Sequence, residues 1–127
     1  MACRKGNRLS AMRAVALTLA TLVSLACAAA PQKVQAPGGA LAYHRESGSF
    51  GYSVSAATPR IAKTQALAQC GNPKCEVVAS LRNDCGAIAN GPKRFYVSRG
   101  ATRQEAETKA LRLCGERCSI AGWACTR

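Results

Sequence analysis

Cysteine is the residue type in this chain whose number and spacing carry the most chemistry. Eight cysteines occur among 127 residues, and two close pairs are Cys70-x4-Cys75 and Cys114-x3-Cys118. Structural zinc sites and disulfide-stapled domains both use such pairs, and the cellular compartment decides between them. Because the chain begins like an exported protein, we expect disulfides rather than zinc. A redox-active role is not favoured, since each pair begins at the predicted C-terminus of a helix, where the dipole does not favour a thiolate.

Other groups that could do catalytic chemistry are sparse. His44 is the single histidine, so any general base or cysteine–histidine dyad would have to use it, and we expect it in a solvated spacer. Glu105 and Glu107 lie two positions apart on a predicted helix and point in different directions, unlike the carboxylate pair of a glycosidase. Asp84 follows Asn83 and fits a turn. The sequence therefore predicts no catalytic residue, no metal ligand and no cofactor.

The start of the chain has the three-part layout of an export signal. Basic residues precede an apolar run over residues 14–26, and no acidic residue occurs before Glu46. As a helix this run would rise about 20 Å, which is short of the roughly 30 Å of a hydrocarbon core. We therefore predict a signal peptide over residues 1–28, with cleavage between 26 and 30, and no transmembrane span.

Cys27 leaves two routes of export open. Ser24-Leu25-Ala26 before it resembles the box that directs lipidation of a bacterial lipoprotein, with Ser24 in place of the usual leucine. Lipidation of Cys27, or cleavage after Ala28, would leave an even number of cysteines free to pair. We expect a periplasmic or secreted protein, either released or anchored to a membrane through Cys27.

The composition beyond the signal divides the chain further. Residues 29–48 are rich in Pro, Gly, Gln and Ala without an apolar period, which predicts a flexible spacer and leaves residues 49–127 as the folded domain. The whole chain has 18 Lys and Arg against 6 Asp and Glu. Residues 31–127 keep a net charge of +8, because the segment before them contains basic residues and no acids.

The predicted domain contains an internal repeat, over about residues 50–85 and 94–125. The matching positions are Ala62/Ala106, Ala66/Ala110, Leu67/Leu111, Cys70/Cys114, Gly71/Gly115, Cys75/Cys118 and Cys85/Cys125. Each copy is interpreted as strand, helix, strand. Thr58 and Thr102 are predicted helix N-caps, and Gly71 and Gly115 are suited to the left-handed position after the last turn.

These elements predict the α+β class. We expect two βαβ-like repeats in one small, mainly antiparallel sheet with two helices on one face, and a hairpin around Asn90-Gly91-Pro92. Because the core is thin, the domain needs cross-links. Six cysteines allow many connectivities, and the repeat symmetry is the only guide to them. It favours Cys70–Cys75, Cys114–Cys118 and Cys85–Cys125, the last joining the two halves.

Several short motifs resemble a bacterial family called domain of unknown function 4189. In the first half they are Gly51-Tyr52-x-x-Ser55, Ala62, Ala66-Leu67, Cys70, Cys75, Val77-Val78 and Asn83-x-Cys85-Gly86-Ala87-Ile88-Ala89. In the second half they are Thr102, Glu105-Ala106, Ala110-Leu111, Cys114, Cys118 and Cys125. The resemblance covers about residues 42–125. It implies a small, exported, cysteine-rich domain, and it supplies no catalytic residue to carry over.

Basic residues concentrate in the second half of the chain, where they are predicted to form a binding face. The residues expected to form it are Lys93, Arg94, Tyr96, Arg99, Arg103 and Trp123. The simpler interpretation is a solvated basic surface that keeps a small domain soluble. Nucleic acid is not expected, because few aromatic residues are interleaved with the charge and the chain is exported.

The sequence thus predicts a non-catalytic, exported binding module that contacts a protein or an anionic envelope component. It leaves the oligomeric state open. Two alternatives remain: a periplasmic lipoprotein that inhibits an enzyme or toxin, as immunity proteins do, and a secreted effector or hydrolase.

Overall fold

The computed structural model describes residues 37–126, in which the element order strand–strand–helix–strand occurs twice; we call the two segments the first and the second copy. The first copy contains β1 (Gly38–His44), β2 (Ser49–Ala56), α1 (Pro59–Cys70) and β3 (Glu76–Arg82). The second contains β4 (Cys85–Asn90), β5 (Phe95–Gly100), α2 (Arg103–Cys114) and β6 (Ser119–Cys125). The predicted signal peptide and Cys27 lie outside the described residues.

The strands form two antiparallel sheets of three strands each. The first sheet has the order β2-β1-β3 and the second the order β5-β4-β6, so β1 and β4 are the central strands. The α+β class, the antiparallel pairing, the two helices and the hairpin of β4 and β5 are confirmed. The expectation of a single sheet with both helices on one face is replaced by two sheets, because each sheet has two apolar faces to cover.

Three layers of buried side chains hold this arrangement together. One face of the first sheet packs its alanines against α1, and the matching face of the second sheet does the same against α2. The remaining two faces pack on each other through larger side chains, among them Leu41 and Ile88, which are fully buried. Alanine on the helix-facing side lets each helix lie close to its sheet, and the bulk of the core lies between the sheets.

The predicted spacer is wrong for residues 38–48, which belong to the domain. Ala40 and Ala42 of β1 face α1, whereas Leu41 and Tyr43 face the other sheet, and all four are buried. A central strand that is buried on both faces has no alternation of apolar and polar residues, so its sequence pattern does not distinguish it from a linker. His44 therefore ends a core strand rather than lying in a spacer.

The helix ends follow the sequence signals, with one difference. The Thr58 hydroxyl accepts a hydrogen bond from the Ile61 N–H (3.2 Å), and Thr102 caps α2 in the same way. Gly71 adopts the expected left-handed conformation with φ 68°. Gly115 has φ 93° and ψ −158°, which is not the left-handed helical position. In this loop, one residue shorter than its counterpart, Arg117 takes the left-handed conformation instead (φ 60°).

Glu105 completes the cap of α2 and gives a pH-dependent prediction. Its carboxylate accepts hydrogen bonds from Lys109 Nζ (2.6 Å) and from the Ala101 N–H (2.9 Å), and these lower the pKa of Glu105. A carboxyl group with a lowered pKa stabilises the fold above its unfolded pKa, and this is lost as pH falls through the folded pKa. We expect Glu105→Ala to lower the unfolding free energy at pH 7, and this difference to shrink below about pH 4. Urea unfolding from pH 7 to pH 2 measures it, and a constant difference would contradict the assignment.

The structure contains the three disulfides that the repeat symmetry favours. Cys70–Cys75 and Cys114–Cys118 each join the end of a helix to the start of the next strand. Cys85–Cys125 joins β4 to β6, so it closes the second copy rather than joining the two halves. Within residues 37–126, no helix is long and apolar enough to cross a membrane.

Candidate functional site

The six residues predicted to form one basic face do not lie on one surface. Tyr96 lies on β5 and Trp123 on β6, which are the opposite edges of the second sheet. Arg99 forms an ion pair with Asp84. The remaining residues divide between two places. Lys93 and Arg94 lie in the β4–β5 turn, and Arg103 lies at the N-terminal end of α2.

The first place is a groove, which we call the basic groove. It lies between the β4–β5 turn and the α2–β6 turn and has a volume of about 280 Å³. Its lining residues are Gly91, Pro92, Lys93, Arg94, Cys114, Gly115, Glu116, Arg117 and Cys118. Two of its three basic residues, Lys93 and Arg94, belong to the face predicted from the sequence, and Arg117 does not.

Backbone geometry brings the two turns of the groove together. The Gly91 N–H donates a hydrogen bond to the Arg94 carbonyl (2.9 Å), which closes the β4–β5 turn. A Cβ atom on Gly91 would lie 2.6 Å from Cys118 Sγ, so only glycine allows this turn to approach the Cys114–Cys118 disulfide. From the first copy, Arg45 Nη2 donates to the Pro92 carbonyl (2.8 Å) and supports the same turn.

The groove has a positive potential. Among residues 37–126, no carboxylate forms an ion pair with Lys93, Arg94 or Arg117. Glu116 offsets one of the three positive charges, and the negative end of the α2 dipole offsets about half a charge more. The groove therefore keeps a net of roughly 1.5 positive charges. The Arg94 guanidinium lies 5.5 Å from the centre of the Tyr96 ring, a cation–π distance that restrains it. This arrangement suits one anionic group.

In the corresponding place of the first copy, side chains bridge the two turns. There the β1–β2 turn faces the α1–β3 turn, and Asn72 Nδ2 donates to Ser47 Oγ across the gap (3.0 Å). Ser47 Oγ also lies 2.8 Å from His44 Nδ1 and 2.7 Å from Ser49 Oγ. This network is not predicted from the sequence, because its turn lies in the segment with the composition of a spacer. Within residues 37–126, side chains thus bridge these two turns in the first copy, whereas the corresponding turns of the second copy leave the basic groove between them.

His44 is the residue that a hydrolase would have to use, and its surroundings are those of a turn. Its Nε2 lies 3.8 Å from the exposed Glu46 carboxylate, and its Nδ1 faces Ser47. Hydroxyl, imidazole and carboxylate all come from residues 44–47 of the β1–β2 turn. Because Ser47 Oγ also forms hydrogen bonds with Asn72 and Ser49, we infer that the cluster stabilises the conformation of the β1–β2 turn. No group of three or more His, Cys, Asp or Glu within residues 37–126 is placed to hold a metal ion.

The second place is an aromatic cleft along β6. It has a volume of about 530 Å³ and is lined by Phe50, Arg103, Glu107, Ile120, Ala121, Gly122 and Trp123. The Arg103 guanidinium lies 3.9 Å from the centre of the Trp123 ring, and its Nε donates to Glu107 (2.7 Å). The Phe50 ring packs where a Cβ atom on Gly122 would lie. The cleft therefore combines a fixed aromatic surface with a neutralised arginine.

Comparisons with known proteins identify relatives of this chain. The family model described as "Domain of unknown function (DUF4189)" matches residues 39–125. "Uncharacterized protein Rv1813c" of Mycobacterium tuberculosis and "Uncharacterized protein Mb1843c" of Mycobacterium bovis are each 40% identical to it over 88 residues. The matched part is 68% of this chain and 59% of theirs, less than two thirds of their length. The NMR structure of Rv1813c from Mycobacterium tuberculosis is similar, with a TM-score of 0.58 and 27% sequence identity over 95% of this chain and 100% of that one.

Proposed function

This chain belongs to the family of the domain of unknown function DUF4189, and from its surface we propose that it is a non-catalytic, exported binding module. It contacts a protein or an anionic envelope component through the basic groove. One observation carries the proposal: the groove of the second copy holds three basic residues that form no ion pair with a carboxylate of residues 37–126, whereas side chains bridge the corresponding turns of the first copy. The three disulfides support export, because such bonds persist in oxidising compartments.

The position of the charges favours binding over a merely solubilising surface. Charges that serve only solubility need no common orientation, whereas Lys93, Arg94 and Arg117 line one concave site. Among the described residues, the groove lining contains neither a hydroxyl nor an imidazole group, and so no nucleophile–base pair. Two turns and a disulfide form its walls, and the contact with Tyr96 restrains Arg94, so the side-chain entropy lost on binding comes mainly from Lys93 and Arg117.

The experiment compares two charge-neutralised variants of the disulfide-bonded protein. The groove variant carries Lys93→Gln, Arg94→Gln and Arg117→Gln. The control variant carries Arg60→Gln, Lys63→Gln and Arg82→Gln, which remove the same charge from the first copy. Binding of hexaglutamate and of phosphatidylglycerol vesicles is measured by titration at low and physiological salt. We expect the groove variant to bind about tenfold more weakly than wild type, and the control to change by about twofold or less.

Two results would overturn the proposed function. Equal losses in the two variants would mean that scattered charge, not the groove, attracts the probe. If the wild-type protein bound neither probe, the proposal of an anionic ligand would fail. The probe that binds more tightly tells whether the partner resembles an acidic protein or an anionic surface.

A further inference from the structure

The aromatic cleft lies beside the basic groove along one strand, and together they fit one kind of partner. We propose that the edge of β6 binds an extended peptide segment of a partner protein as an added strand, with an acidic side chain of that segment in the basic groove. The acidic contact rests on the proposed function. The strand addition stands on the geometry of β6 alone.

The edge of β6 offers backbone groups for such pairing. In the order β5-β4-β6 this strand has a neighbour on one side only. The Cα atoms of Cys85 and Cys125 are 3.9 Å apart, which marks a pair that does not exchange backbone hydrogen bonds. Because such pairs alternate, the pair of Ala87 and Trp123 is of the same kind, and the N–H and C=O of Trp123 point away from β4. Within residues 37–126, no other element forms a hydrogen bond with these two groups.

Two of the other edge strands, β2 and β3, have a backbone N–H group that is already bonded to a side chain of the same chain. On β2 the outward N–H of Tyr52 donates to the Gln69 side chain (2.6 Å). At the end of β3 the Arg82 N–H donates to the Asp84 carboxylate (2.7 Å). On the second sheet, α2 packs mainly against β4 and β5 and touches β6 less. Because unprotected edges pair readily with other chains and β6 also lines the aromatic cleft, β6 is the edge to which a peptide strand would add.

The walls of the cleft suit the alternating side chains of an added strand. One set would face Phe50 of β2, and the other would face Arg103 and Glu107 of α2. The small side chain of Ala121 leaves room for the peptide, and the Phe50 ring packs over Gly122 beside it. The ring of Trp123 is held by Arg103, so this surface is in place before a partner arrives. Interfaces are commonly anchored by tryptophan and arginine in this way.

Charge fixes the chemistry of the partner. Arg117 and Cys118 of the basic groove directly precede β6, and Trp123 lies about 16 Å further along the strand. A segment of five or six residues on β6 would therefore reach both places. Because the cleft is nearly neutral and the groove is positive, the complementary segment is apolar or aromatic in its middle and acidic at one end.

The test uses a peptide of alternating valine and threonine with two aspartates at each end, so that either direction of pairing is allowed. Trp123 is the single tryptophan, and its fluorescence and the exchange rate of its backbone N–H report on the cleft. With peptide at about ten times its Kd, we expect a saturable fluorescence change and exchange of the Trp123 N–H slowed about tenfold. A strand has two hydrogen-bonding edges, and two further peptides each have N-methyl groups on the alternate residues that block one of them. The peptide whose pairing edge is blocked should lose both effects. Strand addition would be overturned if both N-methylated peptides had the same effects as the unmethylated peptide, or if the unmethylated peptide bound without slowing the exchange of the Trp123 N–H.

The groove variant separates this inference from the proposed function. If both are right, the variant should need more peptide but still slow the exchange of Trp123 at saturation. If the affinity of the variant is unchanged while exchange slows, strand addition stands and the role of the groove fails. If the variant loses affinity and the peptide does not slow exchange in the wild-type protein, the role of the groove is supported and strand addition is rejected. Arg103→Gln should weaken peptide binding roughly threefold with Arg60→Gln as its control, because it frees the Trp123 ring.

Discussion

Leu41→Ala is expected to lower the free energy of unfolding by about 3 kcal/mol, a large part of the stability of a domain of this size. Leu41 is fully buried and lies between the two sheets. One of its methyl groups would lie 2.8 Å from a Cβ atom on Gly86, so the opposing sheet leaves no space around it. Truncation would create a cavity that closely packed strands fill poorly. Urea unfolding followed by the fluorescence of Trp123 measures the loss.

The control for this substitution is Leu113→Ala, which removes the same atoms from a side chain that is 54% exposed. It should cost less than about 0.5 kcal/mol. If Leu41→Ala cost no more than this control, residues 38–44 would be a spacer after all. The substitution thus tests the position at which sequence and structure differ most.

The helices, their caps and the short disulfides could be predicted because their signals are local. Thr58 and Thr102 stand three residues before the N–H groups that they cap. Each helix ends at a Cys-Gly pair, and the bridge from each of these cysteines closes within five residues. Each of these signals occurs twice, once for each helix.

The first strand and the division into two sheets depend on contacts that are distant in the sequence. β1 consists largely of small and apolar residues, and both of its faces are buried, so no alternation distinguishes it from a linker. The pairing of β1 with β3 and of β4 with β6 cannot be read from either strand alone. A strand interpretation of residues 38–44 would have supplied the missing centre of the first sheet.

The candidate site was predicted in part, for the same reason. The pairing of Arg103 with Glu107 has helical spacing and could have been found from the sequence, which would have removed one charge from the predicted face. The pairing of Arg99 with Asp84 spans the hairpin and needs the fold. Arg117 joins Lys93 and Arg94 only because two turns meet at the Cys114–Cys118 disulfide.

Removing the Cys85–Cys125 bridge with a double alanine substitution is expected to cost about 4 kcal/mol. The two cysteines are 40 residues apart, so the bridge restricts the unfolded chain far more than the two short bridges do. Cys70→Ala with Cys75→Ala, which opens a separation of 5, is the matched control and should cost about 2 kcal/mol. For a domain of this length, about 4 kcal/mol lowers the Tm by roughly 15–30 °C.

The structure also indicates how the domain without this bridge would behave. Beside it, the Thr126 N–H donates to the Asp84 carbonyl (2.9 Å), and the Asp84 N–H donates to Thr126 Oγ1 (3.3 Å). These bonds keep the end of β6 on β4, so we expect the variant to fold at low temperature and to unfold at lower urea. Calorimetry and urea unfolding of both double variants measure the difference. If the control lost as much unfolding free energy as the Cys85–Cys125 variant, restriction of the unfolded chain would not be the main effect of the bridge. Strain or packing around each cysteine would then have to account for the loss.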